Sequence, residues 1–267
     1  MYANERTVHD LMNLDGKVAI VTGATGWLGA AMSRALAEAG ARVAVTSRDR
    51  QQAIDFAATL PGSGHIGFAF SQDDTDTIPA FVSQVVDALG QVDILVNNAY
   101  GGTAPDIDDA TAEDFDRAYH TGVTAYFLLA REVANHLRSR QAPGSIINIG
   151  SMYGVVASYP DTYADLPVNS PPNYHGLKGG IIHLTRHLAV YWAKDNIRVN
   201  VLCPGAFPSP KVRESMPDFV QRLAQKVPMG RMGDPHELKG LVLLLASDAG
   251  SYLTGQQILV DGGWTSW

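Results

Sequence analysis

Short apolar, β-branched runs alternate along the chain with longer amphipathic ones. The short runs are Lys17 to Thr22, Arg42 to Thr46, Ile66 to Phe70, Val92 to Val96, Ser145 to Ile149, Arg198 to Leu202 and Gln257 to Val260, and each reads as a buried strand. Helical patterns lie near 28 to 39, 50 to 60, 76 to 89, 112 to 139, 173 to 194, 212 to 226 and 235 to 247. Strand then helix, repeated, predicts an α/β fold: a parallel sheet of about seven strands with helices on both faces. No repeat, low-complexity tract or Pro/Gly linker divides the chain, so the pattern predicts one domain over 14–267 after an N-terminal extension, 1–13. The least regular stretch, Val156 to Asn173, holds Pro160, Pro167, Pro171 and Pro172 and reads as a loop within a segment 152–173.

Composition narrows the class. At 267 residues, 46% hydrophobic and 18% charged, the chain can bury a large core and is not a disordered one. A net charge of -7, with no dense Lys/Arg cluster, leaves no surface suited to a nucleic acid backbone. Cys203 is the only cysteine and lies in an apolar run, which predicts a buried structural thiol. The first ten residues lack the apolar stretch of an export signal, and the longest apolar run, Leu241 to Ala246, is too short to span a bilayer. A cytoplasmic protein without membrane or nucleic acid partners is the expectation.

The first predicted strand runs into Thr22-Gly23-Ala24-Thr25-Gly26-Trp27-Leu28-Gly29 and then a helix. In that context glycines permit a tight turn and let a pyrophosphate approach the free N–H groups of a helix terminus, where the dipole favours an anion. Gly23, Thr25, Gly26, Trp27 and Leu28 are therefore candidate cofactor contacts. The second strand ends in Thr46-Ser47-Arg48, where an acidic side chain would accept from a free ribose 2'-hydroxyl and Arg48 would instead pair with a 2'-phosphate. NADP(H) is expected, with NAD(H) as the alternative. The fourth strand ends in Asn97-Asn98-Ala99-Tyr100-Gly101-Gly102 and the fifth in Gly150-Ser151, at the carboxyl edge where parallel sheets bind ligands. Tyr174 and Lys178 stand four apart in a helical pattern, so both side chains share a face, and a nearby ammonium favours the ionised phenol. With Ser151 beside them, they could exchange a proton with an alcohol or ketone.

Taken in order, the glycine-rich turn, Asn97-Asn98-Ala99, Ser151, Tyr174 with Lys178, Asn200 through Pro204-Gly205 and the ending Asp261-Gly262-Gly263 resemble the short-chain dehydrogenase/reductase family. Gly230 to Pro235 and Leu244 to Ser247 match its C-terminal pattern as well. The resemblance runs from Leu14 to Gly263 and implies a Rossmann-type, doubly wound domain with nicotinamide-dependent oxidoreductase activity on a small carbonyl or alcohol. Tyr174 is then the general acid or base and Ser151 orients the substrate oxygen. Tyr174 and Lys178 are also implied to contact the cofactor, Lys178 binding the nicotinamide ribose and lowering the pKa of Tyr174. Asn97 and Ala99 belong to the core motif near the cofactor, and the backbone after Pro204 and Gly205 meets the carboxamide. Helices at 112–139 and 173–194 are implied to join a homotetramer. Two other readings of the scaffold are a halohydrin dehalogenase-like lyase and an NADP(H)-sensing protein without turnover.

Three departures from the family stand out. Trp27 occupies the place of its middle glycine, and Gly26 a place where NADP-preferring relatives often carry a basic residue. Gly122 falls where the family has an asparagine supporting a proton-relay water, with His120 a nearby candidate to replace it. Third, 22 residues separate Ser151 from Tyr174, more than is usual, and long segments of this kind are often functional. This segment carries Met152, Tyr153, Tyr159, Asp161, Tyr163 and Asp165, a mixture suited to a sugar- or polyol-like substrate. Tyr100, Tyr153 and Phe207 are candidate pocket walls. No metal site is expected: His183 and His187 have helical zinc-ligand spacing but lack the glutamate and cysteines that would complete one.

Overall fold

The computed structural model describes residues 5–101, 104–166 and 169–266. Seven strands, β1 (Val18–Val21), β2 (Arg42–Ser47), β3 (Ile66–Ala69), β4 (Ile94–Asn97), β5 (Gly144–Ile149), β6 (Ile197–Pro204) and β7 (Gln257–Val260), form one parallel sheet in the order β3-β2-β1-β4-β5-β6-β7. All seven predicted strands are present. Every residue of β1 and β4 is buried, because central parallel strands are covered on both faces.

The helices are α1 (Val8–Met12), α2 (Trp27–Glu38), α3 (Arg50–Ala58), α4 (Ile78–Leu89), α5 (Ala112–Tyr119), α6 (Ala125–Ser139), α7 (Pro160–Tyr163), α8 (Pro172–Trp192), α9 (Pro210–Ser215), α10 (Pro217–Lys226) and α11 (Lys239–Ala246). Two cores follow from the doubly wound layering. Phe81, Val85, Leu129, Val133 and Leu188 from α4, α6 and α8 pack one face of the sheet, and Met32, Leu36, Ala53, Val242 and Leu245 from α2, α3 and α11 pack the other. The chain order reverses beside β1, so β2 and β4 lead away on opposite sides and open a crevice at their carboxyl ends.

The helical pattern over 112–139 is not one α-helix. A π-helical turn, His120–Thr124, separates α5 from α6 around Gly122. A Cβ at Gly122 would stand 2.8 Å from Leu177 Cδ1, so the glycine lets α8 pack directly on the widened turn. The pattern over 212–226 is likewise divided, because Pro217 starts α10 with Met216 in a non-helical conformation. The stretch expected as a loop contains the one-turn helix α7, started by Pro160, and α8 begins at Pro172. The extension carries an unforeseen helix, α1, whose Thr7 and Asp10 form a reciprocal capping box. Residues 1–4 of the extension, Gly102 and Pro167 lie outside the described residues. No helix among the described residues is long and apolar enough to cross a membrane.

Candidate active site

The glycine-rich turn lies at the reversal of strand order. Gly23 takes the left-handed conformation at φ 62°, and a Cβ on Gly29 would collide with the Gly23 carbonyl. Thr46 fixes the turn from the next strand: its Oγ1 accepts from Gly23 N at 3.1 Å and donates to the Val21 carbonyl at 3.0 Å. α2 begins with Gly26 as its N-cap, with no capping side chain and no acidic residue in the first turn. Its first N–H groups and the positive end of its dipole therefore remain available to an anion. The turn forms one wall of a cleft of about 640 Å³ that also takes in Thr25, Trp27, Leu28, Arg48 and Tyr100.

At the β2 end of this cleft Arg48 is exposed and has no ion-pair partner among the described residues. The neighbouring carboxylate of Asp49 accepts from Gln51 N at 2.8 Å and Gln52 N at 3.1 Å, capping α3. Ser47 Oγ donates to Gln52 Oε1 at 2.7 Å, and Thr25 Oγ1 reaches the same oxygen at 3.2 Å. Ser47, Gln52, Phe70, Ser71 and Gln72 also line the cleft although the sequence reading did not single them out. The signal was available for Ser71 and Gln72, which follow β3 at the same carboxyl edge as the residues chosen after β4. Gln72 is buried and its Nε2 donates to the carbonyls of Ala99 and Thr121, tying this edge together.

Beyond β4, Asn98, Ala99, Tyr100 and Gly101 line the cleft, but Asn97 does not. Asn97 is wholly buried, with Nδ2 on Asn148 Oδ1 at 3.0 Å and the Tyr126 carbonyl at 3.2 Å, so it braces β4 against β5 and α6. The side chain on the cleft wall is instead that of the next residue, Asn98. Strand alternation explains the exchange, since neighbouring side chains point to opposite faces. Thr22 Oγ1 accepts from both Asn98 N and Ala99 N, at 2.8 and 2.9 Å, locking the β4 end to the glycine-rich turn.

Ser151, Tyr174 and Lys178 converge one strand farther along. Ser151 follows β5 after Gly150 and caps the turn Met152–Gly154, accepting from Tyr153 N at 3.1 Å. A Cβ on Gly154 would stand 2.7 Å from the Lys178 carbonyl, so only a glycine lets this turn lie on the backbone of α8. That packing brings Ser151 beside Tyr174 in the first turn of α8. Lys178, one turn on, is buried, with Nζ donating to the Ile149 carbonyl at 2.8 Å and standing 5.5 Å from the Tyr174 ring centre and 5.6 Å from that of Tyr100. Tyr100 meets the Tyr174 ring edge-on at 5.3 Å.

The electrostatics are set by burial. Loss of water lowers the Lys178 pKa from 10.5 to about 8, so its ammonium persists at neutral pH and discharges above that value. Burial raises the Tyr174 phenol, outweighing the hydrogen bond from Ser151 that lowers it. The expected lowering is thus not the net state of this tyrosine, which is a neutral acid at neutral pH. Tyr100 is pushed up to about 12 by burial, then by the Tyr174 charge, and its hydroxyl has no hydrogen-bond partner among the described residues. Cys203, pushed up to about 11 by burial, is the inert thiol expected.

His120 is exposed, with Nε2 at 2.9 Å from the Asp73 carbonyl, which makes it a solvated helix residue rather than part of this buried group. The segment after Ser151 folds back over α8. Tyr153 stacks on His175 with ring centres 4.8 Å apart and bonds its hydroxyl to that of Tyr163 at 2.8 Å; Ser170 Oγ lies 2.8 Å from His175 Nε2. Asp161 is paired with Lys226 at 2.6 Å and so is already engaged. Pro204 closes β6, and Gly205 N donates to the Val260 carbonyl at 2.8 Å. Phe207 packs its ring against Gly233, where a Cβ would strike it. Among the described residues no group of three or more His, Cys, Asp or Glu side chains could hold a metal ion.

Residues 23–265 match a family model described as enoyl-(acyl carrier protein) reductase. The chain is 34% identical to the NADP-dependent mannitol dehydrogenase of Hypocrea jecorina over 96% of its own length and 95% of that protein's. It is 31% identical to a 7alpha-hydroxysteroid dehydrogenase of Bacteroides fragilis, over 94% and 95% of the two chains. A gluconate 5-dehydrogenase from Burkholderia cenocepacia, solved with NADP and tartrate, superposes with a TM-score of 0.85 at 29% identity, covering 98% of this chain and 100% of the other.

Proposed function

The chain belongs to the short-chain dehydrogenase/reductase family and is an NAD(P)-dependent oxidoreductase, and we propose that it moves a hydride between NADP(H) and a ketone or secondary alcohol of a sugar- or polyol-like molecule. The observation that carries this reading is the joining, at one sheet edge, of the glycine-rich cleft with Ser151, Tyr174 and the buried Lys178. The cleft fits a dinucleotide: Gly29 leaves no room for a side chain where the backbone must be approached, and the first turn of α2 offers uncapped donors. Arg48, on the cleft wall without an ion-pair partner among the described residues, supports a 2'-phosphate, while Asp49 on the same wall caps α3 through Oδ1.

When bound, the nicotinamide supplies or accepts the hydride. Ser151 Oγ holds the substrate oxygen, and Tyr174 Oη gives that oxygen a proton during reduction or removes one during oxidation. Tyr174 is protonated at neutral pH, the form in which it can give a proton to a carbonyl. Lys178 spends one donor on Ile149 and keeps others for a ribose hydroxyl, while its charge stabilises the phenolate left after proton transfer. Raising the pH through about 8 discharges the ammonium and removes that assistance.

The mannitol- and gluconate-acting relatives support a hydroxylated substrate. A homotetramer joined through the faces of α5, α6 and α8 is supported by exposed Phe115, Tyr119, Val190 and Tyr191. The reading is tested by following nicotinamide absorbance with NADPH and NADH separately against keto-sugars, polyols, steroids and simple ketones. Preferred turnover of keto-sugars or polyols with NADPH is expected. A preference for NADH contradicts the Arg48 argument, turnover of steroids alone contradicts the substrate class, and cofactor binding without any turnover contradicts the reaction.

A further inference from the structure

Trp27 joins two parts of the chain that are far apart in sequence. Its backbone opens α2 at the glycine-rich turn, while its indole Nε1–H donates to the Phe207 carbonyl at 3.1 Å across 180 residues. The ring is 39% exposed and also lines the cofactor cleft, so it is not simply a core side chain. Phe207 begins the excursion that leaves β6 and contains α9 and α10. That excursion is closed on itself: the Phe207 ring lies on Gly233, and Arg213 donates to the Gly233 carbonyl at 3.0 Å and to Asp234 Oδ1 at 2.9 Å. Through Lys226 and Asp161 it is also fastened to the segment after Ser151.

We propose that Trp27 is a clasp, a positioning residue that holds the start of the 206–234 excursion against the edge of the cofactor cleft and slows the departure of NADP(H). This rests on the cofactor reading above. The glycine-rich turn forms the wall on which the pyrophosphate would lie, and the excursion follows Pro204 and Gly205 at the end of β6. A bond from Trp27, on that wall, to Phe207 therefore ties the start of the excursion to the edge of the cleft. Release requires the bond to break or the excursion to move with it. Glycine at 27 would leave the excursion without this tether, whereas an indole supplies both reach and a donor.

The test is stopped-flow release of NADPH, read by nicotinamide fluorescence, for the wild type and for Trp27→Phe and Trp27→Ala. Phenylalanine keeps a ring but removes the donor. A neutral, partly exposed hydrogen bond predicts about fivefold faster release for Trp27→Phe with little change in association, and a larger increase for Trp27→Ala. NADPH should also protect the 206–234 excursion from limited proteolysis in the wild type more than in Trp27→Phe, with cofactor-free melting temperatures that agree. Wild-type release rates in Trp27→Phe, or a loss of affinity matched by a loss of cofactor-free stability, would overturn the clasp alone. Failure of the wild type to bind either nicotinamide cofactor would overturn the cofactor reading and the clasp with it.

Discussion

Replacing Lys178 by methionine should make the protein more stable and inactive. A lysine whose pKa falls from 10.5 to about 8 on folding has lost about 3 kcal/mol of preference for its charged form. Methionine has nearly the same length and carries no charge to desolvate, but it gives up the 2.8 Å bond to the Ile149 carbonyl, worth about 1–2 kcal/mol. The net expectation at neutral pH is a gain of about 1–2 kcal/mol, or roughly 5 °C in melting temperature for a chain of this size. The pH dependence identifies the cause. Below pH about 8 the lysine is protonated in both states and the wild type bears the whole cost of burying it. Between about 8 and 10.5 only the unfolded chain keeps the proton, so wild-type stability rises with pH relative to the variant. Above 10.5 both states are neutral, the cost is gone, and the variant should be the less stable by its missing bond. Parallel thermal melts across this range measure the crossover. A variant less stable at neutral pH, or a difference that does not change with pH, would refute the description of Lys178 as a buried, strained ammonium.

Other consequences are open to direct measurement. Arg48→Ala should raise the KM for NADPH by roughly 10- to 100-fold, the worth of a charge-assisted phosphate contact, and leave that for NADH nearly unchanged; equal effects on both would remove Arg48 from the ribose site. Gly122→Asn should cost about 1–3 kcal/mol in urea unfolding, because its Cβ meets Leu177 Cδ1 at 2.8 Å. Combining it with Leu177→Ala should cost less than the sum of the two single changes, and strict additivity would deny the contact. His120→Ala should leave the pH profile of turnover unchanged, since the imidazole is exposed on the Asp73 carbonyl; a displaced profile would restore it to the proton route.

The sheet was legible because buried parallel strands are written as short continuous apolar runs, and β1 and β4 at its centre are the clearest of them. Tyr174 and Lys178 were legible as a pair from helical spacing, and their partner Ser151 from its place after a strand. What escaped depends on contacts between elements distant in sequence. The π-helical turn exists because Leu177 of α8 occupies the space beside Gly122, and nothing in the 112–139 pattern records that. Asn97 and Asn98 are the same residue type in adjacent places, and only the phase of β4 decides which of them faces the cleft. The helix α7 consists of one turn, too short to carry a periodicity. The Tyr174 phenol is raised rather than lowered because burial outweighs its hydrogen bond from Ser151, and helical spacing records neither.

The central claim is that Tyr174 transfers the proton while other groups hold the cofactor. Its most direct measurement sets NADPH binding by Tyr174→Phe, followed by fluorescence titration, beside its single-turnover rate with a substrate accepted by the wild type. The account predicts wild-type affinity for NADPH and a hydride-transfer rate reduced by at least the roughly 100-fold that a positioned acid supplies. A Tyr174→Phe protein that binds NADPH normally and still transfers hydride at the wild-type rate would contradict it.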